Sequence, residues 1–183
     1  MNIQNYAQST VESCLACCLL QLRYFYEKKK IAKKEEQQLL FDALALGRPD
    51  FVGNHLAIFF KKTKIKTMRY GHNKLLCDWA KKSKGNSIVQ HEIDLNFIDQ
   101  LLNKGPLTIV VDNHIFSHFG HYPHWIVIYQ KQGNNYLIYD PWLGEKKLIS
   151  KTLLKTAIDS FLKKLWMAPQ IITLKMPVKQ RPQ

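Results

Sequence analysis

Gln8-Ser-Thr-Val-Glu-Ser-Cys14-Leu-Ala-Cys-Cys-Leu-Leu20 is a segment that changes from polar to apolar at a cysteine. The apolar run continues to Leu22 and is too hydrophobic for a surface helix, so it predicts a helix buried in the core. Ser9-Thr-Val-Glu12 has the pattern of a capping box, which marks the start of a helix. Cys14 is therefore expected in the first turns of a buried helix, where a helix N-terminus favours the thiolate.

Two segments far downstream complete the set of reactive groups. His124-Trp-Ile-Val-Ile-Tyr129 and Tyr136 to Tyr139 have the pattern of adjacent antiparallel strands, joined by a turn at Lys131 to Asn135. Asp140, at the end of the second strand, would lie beside His124 and could accept a hydrogen bond from the far nitrogen of its ring. The hairpin thus predicts a paired imidazole and carboxylate.

These residue types make up a cysteine acyl-transfer site. A thiol attacks carbonyl carbon well only as the thiolate, which needs a neighbouring base, and that base needs a third group to orient it. Cys14, His124 and Asp140 are the candidates for nucleophile, base and orienting acid, and Asp112 with Asn113 is the alternative orienting pair. Residues near His124 and Asp140 are candidates for the substrate cleft: Trp125 and Trp142 as its walls and His121 at its rim.

The order Gln8, Cys14, His124, Asp140, with these spacings, resembles the papain-like C39 peptidase superfamily over about residues 4 to 144. The resemblance implies a papain-like α+β fold in which Cys14 attacks, His124 is the base and Asp140 orients it. It also places Gln8 in the oxyanion hole, together with the Cys14 backbone amide. Members that trim double-glycine leaders usually carry Asp-Cys-Gly at the nucleophile, whereas this chain has Ser13-Cys14-Leu15. Family members are often fused to a transporter, and this chain has no phosphate-binding Gly-x4-Gly-Lys loop, so we expect a stand-alone enzyme or separate subunit.

The rest of the chain predicts helices first and antiparallel strands later, an α+β arrangement. Further helices are expected over Lys33 to Leu46, Phe51 to Lys62, Asn73 to Lys82, Leu95 to Leu102 and Lys151 to Trp166. Further strands are expected over Lys66 to Tyr70, Ser87 to Ile93, Leu107 to Val111, Lys147 to Ile149 and Gln170 to Leu174. We expect one domain over residues 1–175, with 176–183 as a flexible tail.

Composition bears on compartment and partners. The four cysteines are expected to be free thiols, which indicates a reducing compartment. No secretory signal and no membrane span is predicted, which favours a cytoplasmic protein, although export without a cleaved leader would leave the same sequence. The net charge of +13 favours an anionic partner, such as nucleic acid or acidic lipid, or is a lysine-rich solvated surface.

Three other interpretations remain open on the sequence. The cluster His114, His118, His121 and His124 could hold Zn²⁺, although its spacing fits no helical face and no usual zinc pattern, so neither a metal nor another cofactor is expected. The same triad could pass the acyl group to an amine, or deamidate glutamine, instead of hydrolysing a peptide or protein substrate. The fold could also serve as a basic binding module without turnover.

Overall fold

The computed structural model describes residues 3–81, 88–118 and 120–175, and these form one α+β structure. The helices are α1 (Cys14–Glu27), α2 (Lys33–Ala45), α3 (Phe51–Thr63), α4 (Lys74–Lys81), α5 (Leu95–Leu102), α6 (His114–Ser117) and α7 (Lys151–Lys164). The strands are β1 (Lys66–Gly71), β2 (Ile88–Gln90), β3 (Leu107–Asp112), β4 (Pro123–Gln132), β5 (Asn135–Asp140), β6 (Glu145–Ser150) and β7 (Gln170–Lys175). A short 3-10 helix, Val11–Ser13, leads into α1.

The strands form one seven-stranded sheet in the order β2-β1-β7-β3-β4-β5-β6. Every neighbouring pair is antiparallel except β1 and β2, which run parallel. The predicted antiparallel sheet is therefore mixed at one edge. β7, the last strand in sequence, lies between β1 and β3 and joins the two halves of the sheet.

The sheet separates two hydrophobic cores. On one face, Val110, Trp125 and Val127 pack against α1, whose residues from Leu15 to Leu20 are at most 2% exposed. The other face is covered by α5 and α7, where Ile126 and Ile138 are fully buried. Alternate residues of β4 thus point into different cores, as the pleat of a strand requires. The prediction that α1 is buried in the core is confirmed, because this helix lies between the sheet and the other N-terminal helices.

Local details differ from the sequence predictions. The capping box lies one residue later than expected: the Thr10 N–H donates to Ser13 Oγ at 3.2 Å, so the pair is Thr10 and Ser13 and not Ser9 and Glu12. Strand β2 ends at Gln90, three residues before the predicted end at Ile93. The predicted tail, 176–183, lies outside the described residues.

The N-terminal segment is hydrogen-bonded to the end of the sheet at which β5 ends. The Gln8 N–H donates to the Pro141 carbonyl oxygen at 2.7 Å, and the Tyr139 hydroxyl donates to the Tyr6 carbonyl. On its other side, the Ser9 N–H donates to Glu36 of α2 at 2.9 Å. These bonds fix the chain that leads into Cys14 against the strand that carries Asp140.

Candidate active site

Cys14 is the first residue of α1, with Ser13 as its N-cap. Its side chain lines a cavity and is 8% exposed. The unpaired N–H groups and the dipole at a helix N-terminus favour negative charge there, which suits a thiolate. Cys17 and Cys18 lie further along the helix and are fully buried, and burial raises the pKa of both thiols well above the ordinary value. Cys14 is thus the cysteine of α1 that lies at the helix N-terminus and borders the cavity.

His124 stands between Cys14 and Asp140. Its Nε2 lies 2.9 Å from Asp140 Oδ1, and the Cys14 side chain is near enough to influence the pKa of the ring. Because Nε2 is committed to the carboxylate, Nδ1 is the ring nitrogen left for the Cys14 thiol. His124 lies near the start of β4 and Asp140 ends β5, so the two antiparallel strands bring them to the same end of the sheet. The structure therefore brings together three of the four predicted catalytic residues.

The electrostatics of this group favour a protonated imidazole. Burial alone lowers the pKa of His124, but the hydrogen bond and charge of Asp140, together with the neighbouring Cys14 side chain, outweigh it and raise the pKa to about 9. Burial likewise tends to raise the pKa of Asp140, yet the His124 and Lys147 hydrogen bonds hold it far below its usual range. The carboxylate is therefore charged at neutral pH, and it stabilises positive charge on the imidazole.

Asp140 has two further partners that the sequence did not indicate. Lys147 Nζ donates to Asp140 Oδ2 at 2.9 Å, and the Trp142 N–H donates to Oδ1 at 3.0 Å. Lys147 faces Ile138 across the β5–β6 pair, two residues from Asp140 and on the same side of the sheet. The signal that could have found it is the β5–β6 hairpin register. With all of these bonds, the carboxylate is held in one orientation.

The two predicted tryptophans flank the site on different sides. The Trp142 ring lies edge-on to His124, with 6.3 Å between ring centroids, next to the His124–Asp140 hydrogen bond. Trp125 is 4% exposed and lies on the α1 side of the sheet, where it lines the cavity beside Cys14. Trp125 is thus part of the cavity wall, whereas Trp142 covers the polar end of the site.

Gln8 lies close to the site, but its side chain is engaged elsewhere. Nε2 donates to the carbonyl oxygens of Thr10 at 2.8 Å and Val11 at 3.1 Å, and Oε1 is buried without a hydrogen-bond partner. Both amide hydrogens therefore stabilise the turn that leads into α1. Donation to a substrate oxyanion would need one of these bonds to be exchanged.

His121 is paired with a different carboxylate from the one that holds His124. Its Nδ1 is 2.6 Å from Asp112 Oδ2, which also accepts from the Ser160 hydroxyl at 2.5 Å. Asp112, the alternative orienting residue, is thus paired with His121 and not with His124. His121 is not among the described residues that line the cavity.

The histidine cluster does not form a metal site. Within the part of the chain that the structure describes, no group of three or more His, Cys, Asp or Glu side chains is arranged to hold a metal ion. His114 and His121 are neighbours, with 4.3 Å between ring centroids, but His124 is buried in its contact with Asp140. Zinc binding by this cluster therefore has no support among the described residues.

The cavity beside Cys14 has a volume of about 470 Å³. It is bounded by the start of α3, by α4, by the strand ends of β3 and β4 and by the loop before β7. At its wall lies a buried polar group in which Arg69 donates to Asp50 at 2.7 Å and to Gln170 at 2.8 Å. The nucleophile candidate therefore opens onto a concave space and not onto a flat surface.

No protein-family model and no curated protein matches this chain at a significant level. Among the described residues, no helix is long and apolar enough to cross a bilayer. Any function must therefore be argued from the geometry of the site.

Proposed function

We propose that this protein is a papain-like cysteine enzyme, related to the C39 peptidases, that cleaves a peptide or amide bond. The observation that supports the proposal is the placement of Cys14 at the N-terminus of α1 near His124, whose Nε2 lies 2.9 Å from Asp140 Oδ1. A buried imidazole with a raised pKa between a thiol and a carboxylate is the pairing that activates cysteine nucleophiles.

The reaction proceeds in two acyl transfers. The Cys14 thiolate attacks the carbonyl carbon, and the imidazolium of His124 gives its proton to the leaving amine as the carbon–nitrogen bond breaks. An acyl thioester remains on Cys14. His124, now neutral, takes a proton from water or from an acceptor amine, which attacks the thioester and releases the acyl group.

The first experiment is labelling with iodoacetamide, followed by mass spectrometry of the labelled peptide. We expect rapid alkylation of Cys14 in the native protein and its loss in Cys14→Ala. Cys17→Ala and Cys18→Ala serve as matched controls on the same helix, and both should retain the labelling because these thiols are buried. Label that persists in Cys14→Ala would contradict the assignment of the nucleophile.

A second experiment identifies the acceptor. The protein is incubated with a peptide library, with and without added hydroxylamine, and the products are weighed by mass spectrometry. Products with a new carboxylate indicate water as the acceptor, and hydroxamates formed at their expense indicate a thioester intermediate that amines can intercept. Absence of any cleavage or amine transfer across the library, in protein whose Cys14 reacts with iodoacetamide, would contradict the proposed reaction.

A further inference from the structure

The cavity beside Cys14 has the size and the lining of a site for a large apolar group. Its volume of about 470 Å³ lies within the range of roughly 300–1,000 Å³ that is typical of ligand pockets. Aromatic and aliphatic side chains form most of its wall, among them Phe51, Trp79, Trp125, Phe161 and Met167. A glycine in the substrate would leave such a space empty.

Several of these side chains are exposed at the mouth of the cavity. Phe51 is 37% exposed, Trp79 is 40% exposed and Met167 is 43% exposed. They come from three separate parts of the chain, α3, α4 and the loop between α7 and β7. Exposed large apolar side chains that converge on one cavity are typical of a binding surface, because isolated ones would be scattered.

The charges around the cavity do not favour a charged ligand. Arg69 and Asp50, each 1% exposed, neutralise each other through their 2.7 Å contact. Arg69 is held further by Gln170. Glu12 is the remaining acidic residue of the lining, and it is exposed to solvent. The interior therefore offers apolar surface with a compensated ion pair, which suits a neutral group.

The position of the cavity indicates which part of the substrate it holds. Cys14 lines it, whereas the His124 ring and Trp142 are not among its described lining residues. A group bonded to the Cys14 sulfur has this cavity beside it, and in the proposed reaction the acyl part of the substrate is the group that becomes bonded there.

We propose that the acyl part of the substrate carries a bulky apolar side chain, aromatic or branched aliphatic, that fills this cavity. The inference rests on the proposed function, because it needs Cys14 to carry the acyl group. It predicts that peptides ending in two glycines on the acyl side, the residues recognised by double-glycine peptidases, are poor substrates. Burial of one large side chain corresponds to a rate preference of about tenfold to a hundredfold.

The test uses three irreversible probes: the fluoromethyl ketones of acetyl-Phe-Ala, acetyl-Ala-Phe and acetyl-Gly-Gly. Each probe forms a bond between the Cys14 sulfur and its methylene carbon, and fluoride leaves. We expect at least one of the two Phe probes to label Cys14 about tenfold to a hundredfold faster than the Gly-Gly probe, measured as second-order rates by mass spectrometry. Iodoacetamide, which needs no pocket, is run in parallel.

Substitutions at the cavity mouth test whether the preference for the Phe probes arises in this cavity. Trp79→Ala and Met167→Ala should each reduce the Phe preference about threefold or more, because part of the apolar contact is lost. Leu75→Ala and Trp166→Ala are matched controls, since Leu75 lies on α4 with Trp79 and Trp166 precedes Met167. They are 79% and 90% exposed and are not among the described lining residues. They should keep the preference of the native protein. A Phe preference that all four variants retain would overturn the placement in this cavity.

The outcomes separate this inference from the proposed function. Equal rates for the three ketones, with Cys14 still labelled by iodoacetamide, would overturn the apolar preference and leave the nucleophile in place. No reaction of Cys14 with iodoacetamide or with any ketone would overturn the proposed function, and the inference with it.

Discussion

Lys147 and His124 share one carboxylate. Lys147 Nζ is 2.9 Å from Asp140 Oδ2, and His124 Nε2 is 2.9 Å from Asp140 Oδ1. The lysine cation holds Asp140 in its charged form, yet it also opposes positive charge on the nearby imidazole. Lys147 therefore stabilises the carboxylate while limiting how far that carboxylate raises the pKa of His124.

We expect Lys147→Met to shift the alkaline limb of the pH profile upward. His124 is protonated below a pKa of about 9, and loss of this proton removes the acid for the leaving amine, so cleavage should decline above about pH 9. Without the lysine cation the imidazolium is more stable, and the decline should move up by roughly 0.5–1 pH unit. The measurement is kcat/KM for an amide substrate between about pH 6 and 10.5.

Lys146→Met is the matched control, because Lys146 is adjacent in sequence and exposed. In Lys146→Met, kcat/KM should decline at the same alkaline pH as in the native protein. Equal shifts for both variants would mean that only net charge matters, and a downward shift for Lys147→Met would contradict the role given to this lysine.

The residues of the site could be predicted to different extents. The pairing of His124 with Asp140 could be predicted because the β4–β5 hairpin is visible in local sequence, whereas only its spacing from Gln8 distinguished Cys14 from Cys17 and Cys18. Lys147 could not, since it belongs to a chain with many lysines, and only the pairing of β5 with β6 singles it out. The position of the Gln8 side chain depends on the turn at Thr10 and Val11, which its residue type does not reveal.

At the level of elements, the turn between β5 and β6 supports the segment that leads into α1. Gly144 has φ of +70°, and a Cβ there would lie 2.6 Å from the Ala7 nitrogen and 2.7 Å from the Tyr6 carbonyl carbon. Both contacts are with backbone, which cannot rotate away as a side chain can. Glycine is therefore required for the N-terminal segment to pack against this turn.

Gly144→Ala should destabilise the protein by about 2–4 kcal/mol, since strained backbone and a steric clash add. Gly133→Ala is the matched control: Gly133 lies in the β4–β5 turn with φ of +57°, and a Cβ added there would meet no atom within 4 Å. Gly133→Ala should lower the free energy of unfolding by about 1 kcal/mol, because only backbone strain is added. Urea unfolding at constant pH measures both free energies. Equal losses would show that the turn does not need to approach the N-terminal segment so closely.

The helices and most strands could be predicted because periodicity and breaking residues are local properties of the sequence. The order of strands could not, because pairing depends on contacts between distant segments. β7 pairs with β1 through Lys66 opposite Lys175, and with β3 through Leu107 opposite Thr173. Nothing in these short apolar runs specifies which neighbours they take, or that β1 and β2 run parallel.

At the level of the whole molecule, a buried ion pair connects the helical layer to the sheet. Asp50 caps the start of α3 by accepting from the Gly53 N–H at 3.0 Å, and it also accepts from Arg69 of β1. Gln170 of β7 holds the same guanidinium. Apolar packing on both faces of the sheet supplies the stability, and this polar contact fixes how α3 sits beside the cavity.

The paired site also makes global stability depend on pH in two directions. Asp140 has a lowered pKa in the folded protein, so its contribution is present above about pH 4 and is lost as the pH falls. The pKa of His124 is raised to about 9 from an ordinary value of 6.5, so its contribution is complete below about pH 6.5 and is lost as the pH rises through 9. Both contributions are therefore present together between about pH 4 and 6.5.

In Cys14→Ala, where no thiolate accompanies the imidazolium, we expect the free energy of unfolding to fall by roughly 1 kcal/mol per pH unit above about pH 6.5, because the folded protein holds a proton on His124 that the unfolded chain releases. Urea unfolding at several pH values measures this slope. His124→Gln removes the titrating group, so its slope over this interval should be flatter. The slope of the native protein should be intermediate, because in the proposed ion pair the Cys14 thiolate lacks a proton that the unfolded thiol keeps, and this offsets the proton on His124. Parallel curves for the three proteins would mean that His124 takes no proton from the Cys14 and Asp140 pairing.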